Sequence, residues 1–149
     1  MANTLEKYKQ NWDFSDKNNV YKKINKQTFP IPFFSIIGLF AEDANYDLRQ
    51  CYVNHERLFI KGYSKGKQNE LMLRFNYTSE NNLVVARVEF IHQRKGKMTE
   101  LYRILKRIQH KYHTGSIIIE SVQTAEMKAW CTKNNFVEME DRTECYLQP

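Results

Sequence analysis

Residues 84 to 136 constrain this chain more than any other stretch. Leu83-Val-Val-Ala-Arg-Val-Glu-Phe-Ile91 reads as a half-buried strand, with Val84, Ala86, Val88 and Phe90 alternating against Val85, Arg87, Glu89 and Ile91. Gln93-Arg-Lys-Gly-Lys-Met98 is a short loop with one glycine. From Met98 to about Tyr112 the period changes, and Leu101, Ile104, Leu105, Ile108 and Tyr112 form one apolar helical face. Glu100 in its first turn and Lys111 in its last suit the helix dipole, and Thr114-Gly115 is a stop signal. A β-branched strand, Ile117-Ile-Ile-Glu-Ser-Val122, follows, and a second helix closes on Asn134-Asn-Phe136. A strand, a glycine-containing loop and a helix in that order make an anion cradle. The first helical N–H groups lack intrahelical partners, and the dipole adds partial positive charge there. The pattern points to a phosphate-bearing ligand.

Upstream, Arg57 to Tyr63 reads as a strand and Ser64 to Asn69 as a polar turn. Leu71, Leu73, Phe75 and Tyr77 alternate with polar or flexible neighbours as a second strand, and Thr78 to Asn82 is a turn. The result is an antiparallel meander that leads into the Gln93–Met98 loop. Phe33 to Phe40 reads as a buried strand, and residues 42–51 as a short helix. In residues 4–27 the apolar positions Leu5, Tyr8, Trp12 and then Val20, Tyr21, Ile24 suit two short helices, with Ser15 or Asp16 capping the second. The prolines of Phe29-Pro-Ile-Pro-Phe33 end any helix. No internal repeat, low-complexity tract or linker divides the chain, so 1–149 reads as one domain.

A chain of 149 residues buries roughly 70% of its unfolded surface without help from disulfides or metal. Cys51, Cys131 and Cys145 are odd in number and widely spaced, which suits reduced thiols in a cytoplasmic protein. The N-terminus has no apolar signal core, and no run approaches the length of a membrane helix. The net charge of +6 lies entirely between Arg94 and Lys111, where seven basic residues face only Glu100. Such a field suits a polyphosphate ligand or a nucleic-acid backbone, and a solvated helix face is the plainer reading for Arg103, Lys106 and Lys111.

From Val84 onward the chain resembles the GNAT superfamily of N-acetyltransferases. The family's pyrophosphate loop reads Gln/Arg-x-x-Gly-x-Gly/Ala, and here Gln93, Gly96 and Met98 stand at those places, with Leu101 and Leu105 at the hydrophobic positions that follow. The family's later helix often reads Asn-x-x-Ala-x-x-Phe/Leu-Tyr-x-x-x-Gly-Phe. Aligned on Phe136, this chain has Thr124, Met127, Trp130, Cys131, Asn135 and Phe136 there. The resemblance implies an α/β fold with a mixed, mostly antiparallel sheet of six or seven strands and helices on both faces. The strand ending near Ile91 and the strand Ser116–Val122 would lie parallel and splay apart, joined by a right-handed crossover.

It also implies acetyl transfer from acetyl-CoA, as cosubstrate, to a primary amine of a small molecule or peptide. Main-chain N–H groups from Arg94, Lys95, Gly96, Lys97, Met98 and Thr99 would hold the pyrophosphate. Gly96 would allow close approach, and a backbone group near Phe90 or Ile91 would meet the pantetheine or thioester. Met98 departs from the pattern: a long side chain replaces Gly or Ala, and either crowds the loop or turns into the core. Glu89 and Glu120 lead as general bases, Glu120 because mid-strand burial would raise its pKa toward neutrality, with His92 third. Cys131 stands where the family's common general acid, a tyrosine, would be, and Tyr146 is a candidate replacement; a buried structural cysteine is the plainer reading. The acceptor pocket would involve Trp12, Phe29–Phe34 and Tyr46, and Glu42, Asp43 and Asp47 are the nearest approach to an acidic acceptor cluster.

Two rival readings stand beside this one: a GNAT-like module without catalysis that binds CoA or serves regulation, and a basic nucleic-acid-binding domain using the Arg94–Lys111 surface. Against nucleic acid, the strands lack interleaved aromatic pairs and no helix-turn-helix signal appears. His110-x-x-His113 and Cys51-x-x-x-His55 lack a convincing third ligand, so no metal is expected. Walker and Rossmann loops need more glycines than this loop has. An exposed strand edge would permit a homodimer.

Overall fold

The computed structural model describes residues 32–54, 56–77, 80–93 and 95–149. The two short helices expected in 4–27, and Trp12 with Phe29 in the expected acceptor pocket, lie outside these residues.

Helix α1 spans Pro32–Asp43. The sequence reading of Phe33–Phe40 as a strand is therefore corrected. Pro32 occupies the first helical position, where the missing N–H costs nothing. Ile36, Ile37, Phe40, Ala41 and Ala44 are buried at helical spacing, while Ser35 and Glu42 are exposed. The run between them is so uniformly apolar that neither period shows in the sequence. The helix expected over 42–51 is also corrected. Asn45 and Tyr46 turn the chain with positive φ, and strand β1 begins at Leu48 and runs to Asn54. A register shift between Leu48 and Gln50 interrupts the alternation that would have identified this strand.

Strands β2 (Arg57–Ser64), β3 (Lys67–Tyr77) and β4 (Asn82–Glu89) complete an antiparallel meander. The polar turn expected over 64–69 is shorter in fact. Only Lys65 and Gly66 leave the ladder, both at positive φ, as a tight two-residue hairpin requires. Helix α2 (Lys97–Tyr112) then leads to β5 (Ile117–Ile119), helix α3 (Ala125–Lys133), β6 (Val137–Glu138) and β7 (Tyr146–Leu147). Among the described residues these seven strands form one sheet in the order β1-β2-β3-β4-β5-β7-β6, with β4–β5 as the parallel pair. The mixed, mostly antiparallel sheet is thus as the sequence reading has it.

The core lies between the sheet and helices α1 and α2. Leu58, Ile60, Leu71, Leu73, Val85, Ile117 and Ile119 meet Ile36, Phe40, Leu101, Leu105 and Ile108 there. The end of α2 differs from the expected glycine stop: His113 takes the left-handed conformation that terminates the helix. Gly115 serves close approach instead, since a Cβ there would collide with the Glu80 carbonyl and Asn82.

Candidate functional site

β4 and β5 pair only over Leu83↔Ile117, Val84↔Ile118 and Val85↔Ile119, with the Glu120 amide donating a last hydrogen bond to the Val85 carbonyl. Beyond that point they part. On its other side β4 pairs Met72 with Arg87 but Leu73 with Val85, so Ala86 is an extra residue in the ladder. A bulge bends and twists the strand that carries it. This one sits where β4 leaves β5. Across the gap, Ser121 turns the chain at φ 58. A cleft of about 670 Å³ fills the opening. Val88, Glu89 and Phe90 line one wall, Ser121, Gln123, Thr124, Met127 and Trp130 the other, and Gly96 to Thr99 close one end.

The α2 N-terminus has the geometry of an anion site. Gly96 is its cap residue at φ 73, with no side-chain cap. A Cβ at Gly96 would meet nothing within 4 Å, so the position needs glycine for its left-handed backbone rather than for space within the protein. The Lys97, Met98 and Thr99 amides belong to the first helical turn and lack intrahelical acceptors. The Met98 side chain is buried in the core, which resolves the two alternatives for this position. The Thr99 hydroxyl accepts from Trp130 Nε1 at 3.1 Å, tying α2 to α3 at the cleft. Trp130 also packs edge-on to Tyr102, whose ring lies edge-on to Phe136.

Not all of the expected cofactor positions reach the cleft. Phe90, Gln93, Gly96, Lys97, Met98 and Thr99 line it. Lys95 lines a second groove of about 470 Å³ between α1 and α2, which also includes Lys97, Arg107, Glu42 and Glu100. Arg94 lies outside the described residues. The Ile91 amide is engaged: it donates to Asp43 Oδ2 at 2.7 Å. The basic face is partly neutralised within the chain. Lys97 Nζ lies 3.7 Å from Glu42, Arg103 pairs with Glu100, and Lys106 sits over the Tyr102 ring.

The expected acid–base residues divide sharply. Glu89 is exposed in the cleft wall. Glu120 is not part of the lining and is committed to two ion pairs, with Arg74 at 2.5 Å and with Arg142. Arg87 pairs with Glu70, at 3.6 Å. Cys131 is fully buried, and burial pushes its thiol up to about 11. Burial likewise raises the Tyr146 hydroxyl, with Glu138 and Cys131 adding to the shift. Neither residue lines the cleft.

His92 does line it, and it brings a partner that the sequence reading misplaced. Asp43 does not belong to a surface acidic cluster; its side chain is completely buried at the end of α1. Its Oδ2 accepts from Asn69 Nδ2 at 2.9 Å and from the Ile91 amide, and its Oδ1 from the His92 amide at 2.9 Å. The His92 ring nitrogen Nδ1 lies 3.1 Å from the same Oδ1. Burial works against the charge, but the donors from Asn69, the His92 and Ile91 amides and the ring outweigh it. Together they hold the carboxyl below the usual carboxylate range.

Later in the chain, Thr124 caps α3, its hydroxyl accepting from the Met127 amide at 3.1 Å. Asn135 takes a left-handed conformation at φ 65, the geometry a glycine supplies elsewhere. Among the described residues, no group of three His, Cys, Asp or Glu side chains is placed to hold a metal, and no helix is long and apolar enough to cross a membrane. Comparisons of the chain with family models, curated proteins and solved structures return no match.

Proposed function

We propose that the cleft between β4 and β5 binds acetyl-CoA and that the protein transfers its acetyl group to a primary amine. The observation that carries this reading is the coincidence of the diverging parallel strands with the uncapped α2 N-terminus at one end of the opening. The first-turn amides and the helix dipole match a pyrophosphate. An extended thioester arm fits a slot between two strands, because the β4 edge beyond Val85 has no β5 partner there. Thr124 and Asn135 take the capping and left-handed roles suited to the Asn and Gly of the GNAT pattern, which adds support from outside the loop.

The reaction needs a polarised thioester carbonyl, a deprotonated amine and a route for the thiolate to gain a proton. Holding both substrates in register supplies much of the acceleration. The buried Cys131 favours a second reading, in which the cleft binds CoA without turnover, because the place of the family's general-acid tyrosine holds an inaccessible thiol.

Isothermal titration calorimetry with acetyl-CoA, using dephospho-CoA and ATP as controls, tests the shared part of both readings. Micromolar binding that Gly96→Val abolishes, in a variant with native circular dichroism, supports the slot. No binding at millimolar acetyl-CoA removes both readings. Binding without acetyl transfer across a broad panel of primary amines favours the second.

A further inference from the structure

We propose that His92 is the general base of this cleft and that Asp43 is the buried residue that positions it. The inference deepens the acetyl-transfer reading and rests on it.

The tautomer follows from elementary chemistry. Asp43 has two oxygens, and its three other partners, Asn69 Nδ2, the Ile91 amide and the His92 amide, are all donors. A carboxylate so surrounded has no proton to give, so Nδ1 carries the hydrogen of the 3.1 Å contact. The lone pair of the neutral imidazole then resides on Nε2. The ring is 55% exposed and borders the cleft, whereas the carboxylate behind it is fully buried. The free nitrogen is therefore on the open side. A carboxylate that fixes both orientation and tautomer is the arrangement that makes an imidazole an effective proton acceptor.

The support behind the carboxylate comes from three parts of the fold, although the buried Oδ1 of Asn69 has no hydrogen-bond partner among the described residues. Asn69 Nδ2 also donates to the Phe40 carbonyl at 2.9 Å, anchoring β3 to the last turns of α1. The same carboxylate accepts from two consecutive amides where the chain leaves β4. α1, β3 and the loop after β4 thus converge on one ion. By contrast the Glu89 side chain, in the same cleft, is exposed and makes no hydrogen bond or ion pair among the described residues. The other charged groups bordering the cleft are Glu70, Arg87, Lys97 and Glu126.

In the reaction, the amine nitrogen attacks the thioester carbonyl carbon and a C–N bond forms. His92 Nε2 takes the proton that the nitrogen sheds. The C–S bond breaks, and the departing thiolate takes a proton from the imidazolium, which restores the base. The products are the amide and CoA with its free thiol.

Long-range proton–nitrogen NMR of the ¹⁵N-labelled wild-type protein, followed across pH with and without acetyl-CoA, tests the assignment. His92→Gln identifies the resonance. The expected result is a neutral ring protonated at Nδ1, with a pyridine-like Nε2 that shifts when acetyl-CoA is added. A ring protonated at Nε2 overturns the dyad, whatever the cofactor does. An Nδ1–H ring that ignores acetyl-CoA, while calorimetry shows the cofactor bound, overturns the role of His92 as base. An Nδ1–H ring with no calorimetric binding removes the acetyl-transfer reading and the proposed role with it, yet leaves the geometry of the pair intact. Asp43→Asn is expected to abolish the Nδ1–H preference, and because Asn69→Ala removes one donor while leaving Asp43 in place, it is expected to retain it.

Discussion

At the scale of single residues, Asp43 is buried charge that depends on complete hydrogen bonding. Removing the charge leaves amide donors facing an amide nitrogen or nothing, and hydrogen bonds to a charged group each contribute about 1.5–3 kcal/mol. Asp43→Asn is therefore expected to lower unfolding free energy by about 3 kcal/mol at neutral pH, as measured by urea denaturation. The pH dependence has a definite sign. The folded carboxyl titrates below its unfolded value, so its contribution is present above about pH 4 and is lost as acid is added and the pH falls through the folded value. Wild type and Asp43→Asn are expected to converge in stability below that range; curves that stay parallel down to strong acid would contradict the assignment. None of this was legible in the sequence. Asp43 and His92 are 49 positions apart, and beside Glu42 and Asp47 the aspartate looks like a solvated surface charge. Only its place in the last turn of a helix, where the dipole disfavours an anion, hints at a special role, and that hint appears only after α1 is known to be a helix.

At the scale of elements, α2 was the most legible part of the chain. Leu101, Ile104, Leu105 and Ile108 of its expected apolar face are buried, Tyr112 at its end is exposed, and early Glu100 and late Lys111 suit the dipole, so local and tertiary preferences largely point the same way. α1 was not legible, because a continuously apolar run fits a buried strand and a buried helix equally. β1 was obscured by its register shift. The cradle at the start of α2 was found from loop composition, but the sequence could not tell that Met98 turns inward or that the Ile91 amide is already taken. The cradle yields a prediction that separates charge from backbone. Lys97 is the first residue of α2, a position that accepts proline. Lys97→Ala removes the side-chain charge alone, and Lys97→Pro removes the amide donor as well. If main-chain donors hold the pyrophosphate, the proline variant is expected to bind acetyl-CoA about 10- to 100-fold more weakly than the alanine variant. Equal affinities would show that the amide at this position makes no contact.

At the scale of the whole molecule, the meander followed from alternation, the mixed sheet from the family resemblance, and the length was ample for a core. The three cysteines are all free and all buried. Native protein is expected to resist alkylation by iodoacetamide at pH 8, with all three thiols reacting together once urea unfolds the chain; early reaction of Cys131 alone would contradict its burial. The acceptor side remained illegible for a physical reason: pockets are assembled from distant elements, and no local period or spacing encodes them.

The same divergence that opens the cleft also gives the sheet a seam. Four strands lie on one side and three short ones on the other, joined by three parallel residue pairs, by flanking hydrogen bonds from Gly115, Leu83, Ser116 and Glu120, and by the Arg74–Glu120 ion pair. Cooperative units often follow such divisions. In native-state hydrogen exchange, the amides of β5 and β7 are expected to open at lower free energy than those of β2 and β3. A molecule lodged across the gap would act as a rivet, slowing exchange in β5 and β7 more than in the meander. Ligand occupancy would thus be readable as the merging of two exchange classes into one.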